Sequence, residues 1–195
     1  MFEAINQNVC RYAAFSSEEL ATFNQLLAHK SIAKKQFLLH EGDVCRFEAY
    51  IVKGCIKSYF IDSNGFEVIL TFGIEDWWVS DIDSFCTQQP SRMFIETIED
   101  SELLLLTHQT KEQKKTKISK FERVFRLMVQ RHLASYQERL FADHAKTAQE
   151  RYEYFLAKYP YISQRIPQHL IAAYLGISPE FLSKIRKRMF TNRSK

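Results

Sequence analysis

Apolar residues keep two different rhythms along this chain, and the change of rhythm divides it. Between residues 35 and 106 they come in short runs separated by turn residues. The runs 55–61 and 66–72 mix β-branched and aromatic side chains, as strands do, and Asn64-Gly65 between them is a strong hairpin signal. Glu41-Gly42-Asp43 and Lys53-Gly54 mark further turns, and 93–98 and 103–106 read as late strands. Many short strands with regular turns predict a compact β-roll or barrel. Ahead of it, residues 17–28 read as a short helix with Ser16 as N-cap. From Ile118 to about Ala142 the rhythm lengthens. No Gly or Pro interrupts, and Phe121, Phe125, Val129, Leu133, Tyr136 and Leu140 recur every three or four residues. That spacing puts them on one face of a helix roughly 37 Å long, and Ile118 and Met128 widen the stripe.

A helix with so many large apolar side chains is better explained if part of it packs on a second copy. The expected dimer interface is Phe121, Phe125, Met128, Val129, Leu133, Tyr136 and Leu140. Beyond it, a helix from near Ala145 to Lys158 should stop at Tyr159-Pro160, and two more should follow Pro167 and Ser178-Pro179. The expected class is α+β in three parts: a β-roll sensor-like domain over 1–116, a long linking and dimerisation helix over 117–144, and a helix-turn-helix domain over 145–195.

Charge sharpens the division. The net charge is only +4, but from Lys146 onward ten Lys/Arg face three acids, a net +7, while the preceding part holds 17 basic and 20 acidic residues. No acid follows Glu180, whereas Lys184, Arg186, Lys187, Arg188, Arg193 and Lys195 do. A basic end on an acidic chain points to a polyanion partner. The four cysteines, Cys10, Cys45, Cys55 and Cys86, have no Cys-x-x-Cys spacing, so structural thiols are expected rather than a metal or cluster site. The start of the chain lacks the pattern of a secretory signal, and no apolar run approaches the roughly 20 residues a bilayer requires. A cytoplasmic protein without a membrane partner is expected. No phosphate loop, Rossmann fingerprint, Gly-x-Ser-x-Gly or metal-spaced histidine pair is present, so neither catalysis nor a cofactor is expected.

The most specific stretch is QHLIAAYLGISPEFLSKIRK, residues 168–187. A helix-turn-helix needs a small residue where its second helix crosses the first, and Ala172 stands there. Gly176, four residues on, can take the left-handed conformation of the turn. Ile171, Leu175, Ile177, Leu182 and Ile185 fall at buried offsets, while Ser178 can cap the second helix and Pro179 begin it. What remains exposed is the candidate DNA face: Gln168, His169, Ser178, Glu180, Ser183, Lys184, Lys187 and Arg188. Glu180 can accept from a cytosine amino group and Lys184 can donate to guanine or phosphate. Four apart on a helix, the same two residues also make an ordinary surface pair.

The order β-roll, long helix, helix-turn-helix resembles the cyclic-AMP receptor/fumarate–nitrate regulator (Crp/Fnr) family over nearly the whole chain. The likeness is most specific in LGISPEFLSKI, with its Gly-x-Ser-x-Glu pattern, and in the turns at Gly42 and Gly54. It implies a homodimer that binds double-stranded DNA, contacts RNA polymerase and senses an effector through its N-terminal domain. The family's base-reading trio of arginine, glutamate and arginine falls on Pro179, Glu180 and Lys184, of which only the glutamate is kept. The sequence given runs six residues past Met189, so no full β-wing is expected after the recognition helix.

The effector end departs further. Family members that take a cyclic nucleotide carry a Gly-Glu pair and then an Arg-Ser pair. Here WWVSDIDSFCTQQPSRMFIE has no Gly-Glu, and Ser91 and Arg92, the candidate effector residues, stand in inverted order. Asp76, Asp81 and Asp83 are expected to crowd the same region and repel a phosphate. The effector is therefore unknown or absent. The competing reading is a signalling or protein-interaction module with a cyclic-nucleotide-binding-like β-roll that does not read DNA sequence.

Overall fold

The structure, a computed structural model, describes residues 1–110 and 119–193. Ile118, Lys195 and the expected domain boundary at 116/117 lie outside the described residues. The short runs form two four-stranded antiparallel sheets. One has the order β1 (Leu27–Ile32), β8 (Ser101–Thr107), β3 (Phe47–Lys53), β6 (Trp78–Val79); the other has β2 (Phe37–Leu39), β7 (Phe94–Thr97), β4 (Ile56–Ile61), β5 (Glu67–Gly73). Ala49, Ile51, Val79 and Leu103 from the first sheet meet Leu39, Ile56 and Ile95 from the second in a buried core. The Asn64-Gly65 hairpin joins β4 to β5. Asp62 organises it, its Oδ1 accepting from the N–H groups of Asn64 and Phe66, both at 2.9 Å.

Three short helices frame the roll. One of them, α2 (Ser17–Asn24), carries the expected cap, with Ser16 and Glu19 closing a reciprocal capping box. It ends at Asn24 and not at Ala28, because Leu27 and Ala28 pair with Leu106 and Leu105 at the start of β1. Two helices were not foreseen, α1 (Glu3–Cys10) and α3 (Ile82–Thr87). Each is too short to show a helical period above its surroundings.

The long helix is α4 (Ser119–Ala145), and its first half packs onto the roll. Phe121, Val124 and Met128 pack into the chain's own core with Ile5, Val9, Phe23 and Leu104. The Phe121 ring stacks on Phe15 at 4.6 Å and on Phe23 at 4.3 Å. Farther along, the stripe faces outward, with Leu133 at 57% exposure and Leu140 at 60%. Next come α5 (Ala148–Lys158), opened by a Thr147/Glu150 capping box, α6 (Ile162–Arg165), α7 (Gln168–Leu175) and α8 (Pro179–Arg193). Pro167 precedes α7 as its N-cap, so the helix follows it as expected. Tyr59, Ile69 and Phe72 from the second sheet join Phe155, Tyr159, Ile171, Tyr174 and Leu182 in one core, which docks the C-terminal helices onto the roll.

Candidate functional site

The helix pair α7–α8 is built as its sequence demands. Ala172, Ile171 and Leu175 are buried beneath Leu182 and Ile185. Ile177 lies partly buried against the same cluster. Gly176 ends α7 with φ +64°, its N–H donating to Ala172 and Ala173 carbonyls, and the Ile177 N–H also reaches the Ala172 carbonyl at 3.1 Å. The Ser178 hydroxyl accepts from the Phe181 N–H at 3.2 Å and so caps α8.

With Leu182 and Ile185 inward, Glu180, Ser183, Lys184, Lys187 and Arg188 are left exposed on the other side of α8, with Ser178 just ahead of it. Lys184, Lys187, Arg188 and Thr191 line an open depression together with Gln149 of α5. Gln149 and Thr191 were not singled out in the sequence; Gln149 comes near only because α5 folds back beside α8. Glu180 is held below the usual glutamate range by its own backbone N–H, then by the Ser178 hydroxyl and the charge of Lys184. It is thus an ionised acceptor one helical turn from Lys184. His169 is exposed at the start of α7, whereas Gln168 is half-buried and its Oε1 has no hydrogen-bond partner among the described residues.

Two arginines that no sequence motif marked hold this unit to the rest of the chain. Arg165 spans Glu75 with Nη1 at 2.7 Å and Nη2 at 3.0 Å, and Glu99 with Nε at 3.1 Å and Nη2 at 2.6 Å. Arg139, on α4, donates to the backbone carbonyls of Ile69, Leu70 and Tyr174 and lies 4.0 Å from the centre of the Tyr174 ring. Both contacts join segments far apart in sequence.

The effector candidates separate. Ser91 is buried; its hydroxyl donates to Asp81 Oδ2 at 2.7 Å, and its backbone pairs with Gly42 and Asp43. Arg92, the next residue, is exposed. Asp81 is itself buried and caps α3, its Oδ1 accepting from the Ser84 N–H at 3.2 Å. Of the three aspartates expected to crowd this region, Asp76 does not belong to it. It fastens α1 to the roll by accepting from Asn8, Arg11 and Tyr50, and Asp83 is exposed on α3.

Among the expected interface residues, Val129, Leu133, Tyr136 and Leu140 are exposed, joined by Phe141. Phe121 and Met128 are turned inward instead, because the first half of α4 crosses the roll, and Phe125 is half-buried with its ring edge-on to Trp78 at 5.9 Å. Cys10 and Cys86 are exposed; Cys45 and Cys55 are buried, and burial pushes the Cys55 thiol up to about 12. Among the described residues no helix is long and apolar enough to cross a membrane.

Residues 29–114 match the cyclic nucleotide-binding domain family. No curated protein matches the chain in sequence. Solved structures do match in shape. FixK2 from Bradyrhizobium japonicum is 20% identical, with a TM-score of 0.75 and 85% of each chain covered. The c-di-GMP-responsive global regulator CLP from Xanthomonas campestris is 12% identical, with a TM-score of 0.75, covering 91% of this chain and 93% of its own. A protein from Eubacterium rectale assigned to the Crp/Fnr family of transcriptional regulators is 13% identical, with a TM-score of 0.70, covering 91% and 85%. The chain is thus similar over residues 29–114 to the cyclic nucleotide-binding domain and, over most of its length, shares the fold of these solved structures.

Proposed function

We propose that this protein is a DNA-binding transcription regulator of the Crp/Fnr type, acting as a homodimer in the cytoplasm with RNA polymerase as a further partner. The observation that carries the reading is α8, which buries Leu182 and Ile185 and leaves Glu180, Ser183, Lys184, Lys187 and Arg188 exposed as one polar, mainly basic face. A helix so held by its partner can enter a major groove, its first turns reaching base edges and the later cations phosphates. The exposed stripe Val129, Leu133, Tyr136 and Leu140 supports pairing of two copies along α4. Two-fold pairing calls for a near-palindromic site, with half-site centres about 10 base pairs apart or a multiple of that.

The roll is not equipped for cyclic AMP. A buried cyclic phosphate needs a cation or several free N–H groups in place of water. Here Ser91 is bound to the buried Asp81 carboxylate, which already takes the Ser84 N–H at the start of α3, and Arg92 is exposed beside it. Calorimetry with cyclic AMP and cyclic GMP should show no low-micromolar binding; such binding, abolished by Arg92→Ala, would overturn this part.

The test of the whole is a gel shift against randomised duplex DNA followed by selection. A recovered consensus is expected, and Lys184→Ala should weaken binding to it by about 1–3 kcal/mol if the contact is to a base. Binding with no consensus, at the same affinity for every sequence, would favour the interaction-module reading instead.

A further inference from the structure

One side chain in the first turn of α8 is neither polar nor buried. Phe181 is 45% exposed. Among the described residues it takes no part in the core beneath the helix, where Leu182 and Ile185 sit with Met189 packed against them. Its backbone is held in place. The Phe181 N–H donates to the Ser178 hydroxyl at 3.2 Å, and the Leu182 N–H donates to the Ser178 carbonyl at 3.0 Å. At about 100° per residue, Phe181 projects about 60° round the helix from Lys184 and about 20° from Arg188. It therefore marks one flank of the exposed face, with Glu180 beside it in the same turn and Ser183 on the opposite flank. A single exposed apolar residue is ordinary on a protein surface. What sets this one apart is its place among the groups that α8 presents to a polyanion.

We propose that Phe181 is a specificity-determining residue that packs against the 5-methyl group of a thymine in the major groove, an inference that rests on the DNA-reading role of α8 given above. The neighbours of the ring choose its occupant. Phe181 stands among Glu180, Lys184 and Arg188, so an apolar protein surface that covered it would bury those charges as well, and an unpaired buried charge is costly. DNA meets both demands. Phosphates and base edges take the charges, and the thymine methyl is the apolar group that base pairs present in the major groove. That methyl lies toward the margin of the groove, near the backbone of its own strand. A flank position suits it: Phe181 meets the margin while Glu180 and Lys184 face the floor, and Arg188, two turns on along the same flank, faces phosphates. The Ser183 hydroxyl both donates and accepts, so it does not by itself select one base. Preference for thymine beside the pairs read by Glu180 and Lys184 therefore falls to Phe181.

The test uses the full-length protein and the consensus duplex recovered by selection. Each thymine of the half-site is replaced in turn by deoxyuridine, which removes the methyl group and keeps every hydrogen-bonding group. At one position the replacement should weaken binding about fourfold per half-site, the transfer value of one buried methyl group. Phe181→Ala should weaken binding to the thymine duplex by about tenfold and erase the difference between thymine and deoxyuridine at that position. Phe181→Leu, which keeps an apolar contact, should retain part of that difference. Both variants should keep the circular dichroism spectrum and the affinity for random duplex of the wild type. Three results overturn the proposal and leave α8 standing as a DNA reader: a consensus without thymine, a wild type indifferent to deoxyuridine at every position, or the same deoxyuridine effect in wild type and Phe181→Ala. Unchanged binding of Phe181→Ala to every duplex also overturns it and assigns the ring to a protein partner. Binding with no consensus removes the reading of α8 and this inference with it.

Discussion

Arg165→Met isolates the clamp that fixes the C-terminal helices to the roll. Methionine keeps much of the aliphatic stem but removes the fork, so the loss measured is chiefly that of four charge-assisted contacts to Glu75 and Glu99, all between 2.6 and 3.1 Å. Side-chain exposures of 27% for Arg165, 41% for Glu75 and 32% for Glu99 place the cluster between the surface and the buried limits. An exposed pair is worth about 0–1 kcal/mol, and truncating a fully buried one costs about 3–5 kcal/mol. With solvent screening and two carboxylates left facing each other, the expected loss at pH 7 is about 2 kcal/mol. Urea unfolding followed by circular dichroism measures it. Its pH dependence is a second check. Burial alone would raise the Glu75 carboxyl, yet the Arg165 fork and the Gly54 N–H bring it below the usual glutamate range. A depressed carboxyl stabilises the fold above its unfolded pKa of about 4.3, and that contribution fades as pH falls through the lower folded value. The gap between wild type and variant should therefore be full at pH 7 and shrink in strong acid. A loss under about 0.5 kcal/mol at pH 7, or one equally large in strong acid, would refute the reasoning.

Three other outcomes follow from the same geometry. Leu133→Glu with Leu140→Glu, both on the exposed part of α4, should yield monomers by light scattering that bind DNA poorly, whereas Phe121→Glu should unfold the roll instead; a wild-type monomer at micromolar concentration refutes the dimer. Gly176→Ala should cost about 1–2 kcal/mol from its positive φ alone, since no atom lies within 4 Å of the new Cβ, but Gly54→Ala should cost more because its Cβ would meet the Ser101 backbone at 2.8 Å; equal thermal shifts would contradict this. Lys57, only 6% exposed, reaches Glu67 at 2.6 Å and Glu96 at 3.1 Å, so Lys57→Met should cost about 2–3 kcal/mol in urea unfolding, and adding Glu96→Gln should recover part of it.

What could be read from the sequence was what local chemistry specifies. Ala172, Gly176 and Ser178 each answer a demand made within a few residues, so the turn of the helix pair was visible before its surroundings were. The Asn64-Gly65 hairpin was visible for the same reason. The end of α2 was not, because Leu27 and Ala28 leave the helix for partners almost eighty residues away, Leu106 and Leu105. Arg165 and Arg139 were hidden by the same distance: nothing near either residue announces a carboxylate or a carbonyl that folding will bring to it.

The stripe on α4 shows a subtler limit. A regular period reports that one side of a helix is apolar along its length, but not that a single partner covers it. Phe121 and Met128 meet the roll, Phe125 meets Trp78, and Leu133 and Leu140 stand beyond the reach of their own chain. What separates these sets is which side of the helix the chain covers: Arg139, farther along, still reaches the Ile69 and Leu70 carbonyls of β5, so the roll continues beneath α4 while Leu133 and Leu140 lie off its line of contact. Ser91 and Arg92, adjacent in the chain and paired on paper, are in contrast driven apart by burial of one and exposure of the other. Adjacency in sequence therefore does not place two side chains on one side of the backbone, and whether a neighbour is buried or exposed is settled by what packs over it.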